Sequence, residues 1–344
     1  MKYIQIGTTG VYGSVMGLGT MTFGEKNLQK RGGVGKEVAR SIVKKVIDIG
    51  VNFFDSSDIY DGGSSEEVLG EALKDYRDQA LIATKVRGKS GPGINETGLS
   101  RYHINAEIKK SLKRLKTSWI DIYQFHGWDN MTQLDESISA MQDLVDQSLV
   151  NYPGISNFYA WQMAKAQTIC EERNYSRFET VQVNYSLLNR DIEHEILPFA
   201  SQSRLTILAW SPLHGGVLTG KYGDLTNPPS GTRMKDFSFP VRGGYFPPFE
   251  IEKGREILEV VKQVSQEQGA TMAQVSLSWL MDKKILVLLG VRSMEQLDDN
   301  IKSLEVILTK EQKERLNKVS EVGVRYPQWM IERQNSDRKF PIIT

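Results

Sequence analysis

Eight short apolar runs, each followed by a segment with helical spacing, are the feature of this sequence that leaves the fewest folds open. The clearest are Asn52-Phe-Phe-Asp55, Leu81-Ile-Ala-Thr-Lys85, Ile120-Asp-Ile-Tyr-Gln-Phe-His126, Thr180-Val-Gln-Val-Asn184, Leu205-Thr-Ile-Leu-Ala-Trp210 and Ile285-Leu-Val-Leu-Leu289, with two more near Ser14–Gly19 and Tyr152–Ile155. These runs are largely apolar rather than alternating, as strands buried on both faces must be. They predict a parallel sheet covered by helices, and the tally of eight favours a closed (β/α)8 TIM barrel over an open doubly wound sheet.

The intervening segments read as helices. Lys36–Ile49 puts Val38, Ile42, Val43, Val46 and Ile49 on one face, and Gly50 follows as a helix-ending residue. Ser64 with Glu67 three residues on reads as a capping box for a helix over Glu66–Leu73. In Ile104–Leu115, Ile108, Leu112 and Leu115 form a stripe opposite a Lys/Arg face, and Leu134–Val145 behaves likewise. Further helices are expected at Trp161–Arg173, His194–Ser203, Glu252–Gln268, Met272–Met281 and Met294–Leu304.

At 344 residues the chain is long enough for about two average domains, but a typical barrel of about 250 residues leaves roughly 94 for decoration. That surplus fits an N-terminal β-hairpin over Met1–Gly13, an irregular Gly/Pro-rich stretch over Leu213–Phe249 and a C-terminal extension, so residues 1–344 read as one domain. An irregular stretch of that length is expected to act as a lid or binding loop. With 43 Lys+Arg against 42 Asp+Glu, no global field exists to attract nucleic acid or a membrane surface. The longest apolar runs are too short to span a bilayer. Cys170, the single cysteine, excludes an internal disulfide framework and points to the reducing cytoplasm.

Two nucleotide signatures fail. Gly17-Leu-Gly19-Thr-Met-Thr22 has Thr22 where a dinucleotide fingerprint needs Gly or Ala, and Gly35-Lys36 is followed by Glu37 with no glycine five positions before Gly35. His103, His126, His194 and His214 are widely separated, so no metal site is expected.

In a (β/α)8 barrel, chemistry sits at the C-terminal ends of the strands. Three consecutive runs end in Asp55, Lys85 and His126, and Tyr60 lies just beyond Asp55. Each alone has an ordinary structural explanation; together they make an acid-base site. A phenol with a pKa of about 10 needs help to serve as a proton donor near neutrality. A buried lysine stabilises its phenolate, an aspartate keeps that lysine charged, and an imidazole holds a carbonyl oxygen against the phenol. Such a site has no electron store, so redox chemistry requires a bound hydride carrier.

Gly50-Val-Asn-Phe-Phe-Asp-Ser-Ser-Asp-Ile-Tyr60, Ser65-Glu66, Ala83-Thr-Lys85, Ser111-Leu-Lys-Arg-Leu115, Ile120 to His126, Gly154-Ile-Ser-Asn157, Gln182-Val-Asn-Tyr-Ser186, Trp210-Ser-Pro-Leu213 and Leu218-Thr-Gly-Lys221 resemble the aldo-keto reductases, in the right order over nearly the whole chain. The resemblance implies the barrel fold, NAD(P)H dependence and reduction of a small-molecule aldehyde or ketone. It makes Tyr60 the general acid, Lys85 with Asp55 its tuning pair and His126 the residue that orients the carbonyl. It assigns Ser156, Asn157 and Gln182 to the nicotinamide carboxamide, whose amide suits such side chains, and Trp210 to stacking on the nicotinamide. Ser211, Leu213, Leu218 and Lys221 would lie under the pyrophosphate. Gly290-Val-Arg-Ser293, Gln296 and Asn300 resemble the segment that grips the adenosine end, where Arg292 would pair with a 2′-phosphate and favour NADPH (NADP+) over NADH. The resemblance extends to potassium-channel beta subunits, which share the Trp-Ser-Pro-Leu form, so a cofactor-sensing regulatory subunit is the alternative function. Phe23, Trp128 and the tail around Tyr326–Trp329 are the expected pocket walls.

Overall fold

Leu, Ile and Val dominate the apolar runs, and in the computed structural model, which describes residues 1–25, 33–229, 234 and 247–336, these runs pair edge to edge. β3 (Met16–Gly19), β4 (Phe53–Asp55), β5 (Leu81–Val86), β6 (Ile120–Phe125), β7 (Val150–Ser156), β8 (Thr180–Asn184), β9 (Thr206–Trp210) and β10 (Leu286–Gly290) follow one another around a closed barrel. Every neighbouring pair is parallel, and β10 closes the ring by pairing with both β9 and β3. The expected (β/α)8 barrel is the observed fold.

Helices separate the strands: α1 (Lys36–Asp48), α2 (Ser64–Ala72), α3 (Arg101–Leu115), α4 (Leu134–Asp146), α5 (Ala160–Arg173) and α6 (Ile196–Gln202). α7 (Ile251–Gln268) and α8 (Met272–Asp282) lie between β9 and β10, and α9 (Met294–Ile301), α10 (Lys310–Val319) and α11 (Gln328–Ser336) follow β10. α1 buries Ile42, Val43 and Val46 as the periodicity requires, whereas Val38 is 43% exposed. Gly50 takes φ +89° and lets the chain reverse into β4. The capping box expected at Ser64 does not form. The residue before α2 is Gly63 in a left-handed conformation, no side chain caps the helix, and Ser64 is its first residue. The helix expected from His194 is preceded by a 3-10 turn over Asp191–Glu193 and starts at Ile196, and the one expected to reach Leu304 ends at Ile301 and runs on as a 3-10 turn over Lys302–Leu304.

The barrel lumen is layered. Phe53, Ala83, Ile122, Leu208, Leu286 and Leu288 fill its lower part and pack on Ile6 from the hairpin of β1 (Tyr3–Gln5) and β2 (Tyr12–Ser14). Glu179, just before β8, accepts from the Thr8 backbone amide at 2.7 Å and pins that plug in place. The larger cluster lies between strands and helices. Burying these side chains supplies the main stabilisation, about 1.5–3 kcal/mol for each large aliphatic or aromatic group. α7 and α10 pack together outside the barrel, where Arg315 bridges to Glu267 at 2.6 Å. Much of the irregular stretch after β9, residues 230–233 and 235–246, lies outside the described residues.

Candidate active site

A polar layer sits above the apolar plug because five adjacent strands, β4 to β8, each contribute a polar side chain near their C-terminal ends. Asp55 pairs with Ala83, Lys85 with Gln124, Gln124 with Gly154, and Ser156 with Gln182. Lys85 is fully buried, and its Nζ donates to Asp55 Oδ2 at 2.7 Å, to the Ser56 carbonyl at 2.6 Å and to Tyr60 Oη at 3.3 Å. Asp55 Oδ1 in turn accepts from Gln182 Nε2 at 2.7 Å and Gln124 Nε2 at 3.3 Å. The carboxylate therefore has partners on both oxygens, which makes a buried charge tolerable.

Room for Gln124 comes from Gly154. A Cβ there would lie 2.5 Å from Thr180 Oγ1 and 2.7 Å from Gln124 Cγ, so no larger residue fits. The strand pattern alone does not single out Gln124. The signal is a lone amide inside an apolar run, two residues before His126 and hence on the same strand face.

Tyr60 begins a short turn five residues beyond the end of β4, and its ring meets His126 edge to face, with centroids 5.8 Å apart. Burial pushes the Tyr60 phenol above its ordinary pKa, although Lys85 pulls the other way. The lysine thus fails to depress the phenol overall, because desolvation of the phenolate outweighs it. Burial would also strip the Lys85 proton, but Asp55 and Tyr60 overcome this and hold the ammonium above its ordinary range. His126 is lowered to about 3 by burial and by the positive charges of Lys85 and Arg87. Near neutrality the site therefore holds a protonated phenol, an ammonium and a neutral imidazole.

Asn157, directly after β7, takes φ +56°, which asparagine tolerates better than most residues. That conformation lets its Nδ2 reach the His126 carbonyl and Ser156 Oγ, both at 2.9 Å, while its Oδ1 accepts from Trp210 Nε1 at 3.1 Å. Asn157 does not cap α5, because the capping residue is Tyr159. Ser156 donates to the Gln182 carbonyl at 2.9 Å. Ser156, Asn157, Gln182 and Trp210 thus form one hydrogen-bonded group beside the Asp55–Lys85–Tyr60–His126 group.

The other candidate residues lie around β9 and β10. Ser211 follows Trp210 at φ +54° and accepts from the Gly215 amide at 3.1 Å. Leu213 is partly buried, Leu218 is fully buried in the core, and Lys221 is exposed with its Nζ 5.1 Å from the Tyr222 ring. Gly290 ends β10 with open space around the position of a Cβ. Arg292 is partly exposed, and its backbone amide donates to Gln296 Oε1 at 2.9 Å, while Asn300 is buried. Of the expected pocket walls, Trp128 packs on Phe158 and Trp161 beside His126. Phe23 is fully buried in the main core cluster rather than presented as a wall. The tail meets the chain at His194, whose Nδ1 lies 3.2 Å from Gln328 Oε1, and at Asp191, bridged by Arg325 at 3.1 Å. Among the described residues, no helix is long and apolar enough to cross a membrane.

The sequence profile of the Aldo/keto reductase family matches residues 15–321. The uncharacterized oxidoreductase YrpG of Bacillus subtilis is 36% identical over 332 residues, covering 93% of this chain and 96% of its own. The versiconal hemiacetal acetate reductase of Aspergillus parasiticus is 28% identical, covering 91% and 95%. A Schizosaccharomyces pombe protein named provisionally as a voltage-gated potassium channel subunit beta is 32% identical, covering 92% of each chain. With the barrel, the hydrogen-bonded Asp55–Lys85–Tyr60 triad and a family match over nearly the whole chain, this protein belongs to the aldo/keto reductase family and is an oxidoreductase.

Proposed function

We propose that this protein reduces small aldehydes or ketones to alcohols, with NADPH as the hydride source and Tyr60 as the proton donor. The observation that carries the reading is Lys85 Nζ, fully buried, 2.7 Å from Asp55 Oδ2 and 3.3 Å from Tyr60 Oη. A bound dihydronicotinamide supplies the hydride that reduces the carbonyl carbon. His126 orients the carbonyl oxygen, and Tyr60 delivers its phenolic proton to that oxygen as negative charge develops there. Lys85 stabilises the phenolate left behind, and Asp55 keeps Lys85 charged. Desolvation holds the phenol protonated until substrate arrives.

The residues present suit the cofactor. Asn157 Oδ1 and Gln182 Oε1 are carbonyl-type acceptors, Ser156 and Asn157 Nδ2 are donors, and the flat Trp210 ring stands next to them. Ser211, Leu213, Leu218 and Lys221 are assigned to the pyrophosphate. Leu218 acts there through its backbone, since its side chain is in the core. Gly290, Arg292, Gln296 and Asn300 are assigned to the adenosine end. We assign the whole chain to one barrel domain working in a reducing cytosol, consistent with the buried free thiol of Cys170.

Mixing the protein with NADPH and 4-nitrobenzaldehyde should give loss of NADPH absorbance at a rate proportional to enzyme. Tight cofactor binding without turnover on any aldehyde or ketone would favour the second reading, a cofactor-sensing subunit, which draws on the relative named as a channel subunit. For the cofactor, Arg292→Ala should weaken NADPH binding on the order of 10- to 100-fold, the worth of one hydrogen bond to a charged group. NADH binding should hardly change in a fluorescence titration. Equal weakening of both would remove Arg292 from the 2′-phosphate.

A further inference from the structure

Between Asp55 and Tyr60 the chain carries two polar side chains, Ser57 and Asp58, that the reaction above does not use. Ser57 and Asp58 are both buried, and they link to His126 in a single line. Ser57 Oγ lies 2.8 Å from Asp58 Oδ1 and 3.1 Å from His126 Nδ1. Asp58 Oδ2, at the closed end of the line, is buried with no hydrogen-bond partner among the described residues, and so is Tyr123 Oη. A carboxylate with a dry, unpartnered oxygen is a poor permanent anion, and a serine between it and an imidazole passes information about its protonation.

We propose that Asp58 is a positioning residue that acts through Ser57 on His126, selecting which nitrogen of the imidazole carries the proton and so whether His126 can donate a hydrogen bond to the substrate oxygen. The argument is one of donors and acceptors. When Asp58 is ionised, its Oδ1 can only accept, so the Ser57 hydroxyl donates to it. Ser57 then offers only a lone pair to His126, Nδ1 carries the hydrogen, and Nε2 is a bare acceptor. When Asp58 is protonated, its O–H donates to Ser57 Oγ, Ser57 donates to Nδ1, and Nε2 carries the hydrogen. Passing from the first state to the second takes up one proton from solvent. The Nδ1 proton moves to Ser57, the Ser57 proton moves to Asp58, and Nε2 takes up the solvent proton, leaving the imidazole neutral in both states.

The switch falls in a useful range. Burial raises Asp58 to about 7, Ser57 opposes this, Glu66 and Glu107 add to it, and Arg114 opposes it. On the other side, burial, with the positive charges of Lys85 and Arg87 added to it, keeps His126 from becoming a cation near neutrality. The proposal rests on the reading that His126 faces the carbonyl oxygen. It requires carbonyl reduction to fall as pH rises through about 7, by as much as about 10²-fold, the worth of one lost donor to a developing oxyanion.

The test uses the full-length protein labelled with 15N-histidine and 13C-aspartate, following the His126 ring nitrogens and the Asp58 carboxyl carbon by NMR from pH 5 to 9, together with kcat/KM for 4-nitrobenzaldehyde. In the wild type the proton should move from Nε2 to Nδ1 as pH rises, in step with the fall in rate. In Asp58→Asn, which is isosteric and cannot ionise, both the tautomer and the rate should be independent of pH over this range. In Ser57→Ala the tautomer should also stop following pH, while the Asp58 carboxyl carbon still titrates. A wild-type tautomer constant over the range, or a pH-dependent one retained in either variant, overturns the proposal. Because the NMR titration needs no turnover, inactivity of the wild type on every carbonyl would refute the function proposed above without touching this result.

Discussion

Tyr60→Phe should lower kcat/KM for carbonyl reduction by about 10²- to 10⁴-fold, the usual contribution of a positioned general acid, and leave cofactor affinity unchanged. Phenylalanine keeps the ring that meets His126 edge to face and the ring over which Lys85 Nζ sits at 4.8 Å. Lys85 retains Asp55 Oδ2 and the Ser56 carbonyl, so the buried ammonium does not lose its charge partner. What disappears is one hydroxyl and its proton, so the loss should appear in kcat rather than in a fluorescence titration of cofactor. The sign of the phenol's shift adds a condition. Since burial raises it, the acid is already loaded at neutral and mildly alkaline pH, and Tyr60 itself should impose no fall in rate there. A fall near pH 7 belongs to another group, and Asp58, which burial raises to about 7, is such a group. Retained activity in Tyr60→Phe would mean that the acid is a different residue.

The strand ends were readable because a polar residue at the close of an apolar run has nowhere to go but the barrel mouth. Asp55, Lys85 and His126 stand out on that ground. The residues that hold them were less legible. Gln124 matters only because the β5–β6 register sets it opposite Lys85 and the absent side chain of Gly154 gives it space, and register is not written in one strand alone. The helix start at Ser64 misled for a similar reason: Gly63 reverses the chain in a left-handed conformation, so the turn geometry, not a side-chain cap, sets where α2 begins. Arg114 is the clearest case. By periodicity it belongs to the Lys/Arg face of α3, yet tertiary packing turns it inward onto two carboxylates, Glu66, distant in sequence, and Glu107, two turns away on its own helix.

Arg114→Leu should destabilise the fold by about 3–5 kcal/mol, the cost of removing one partner from a buried ion pair. Arg114 Nε donates to Glu66 Oε2 at 2.6 Å and its Nη2 donates to Glu107 Oε1 at 2.8 Å. Both carboxyl groups are fully buried. Leucine restores apolar volume but leaves Glu66 with only the neutral hydroxyls of Thr84 and Ser111, and Glu107 with Ser90 and Lys110. The pH dependence separates charge from packing. Burial already raises Glu66 above its ordinary pKa despite Arg114, so the folded state holds this proton more tightly than the unfolded chain does. Stability from that group is therefore lost as pH rises above the unfolded value. Without Arg114 the pKa should climb further and the loss should extend to higher pH. Glu107 is held below its ordinary value, because Arg114, Ser90 and Lys110 together overcome burial; it should also move up in the variant. Urea unfolding should accordingly show a larger deficit at pH 8 than at pH 5, where protons can neutralise the stranded carboxylates. A deficit equal at the two pH values would trace the effect to packing. The same substitution withdraws a positive charge that lowers the pKa of Asp58, so it should move the His126 tautomer switch to higher pH, tying the buried ion pair behind the barrel wall to the chemistry at its mouth.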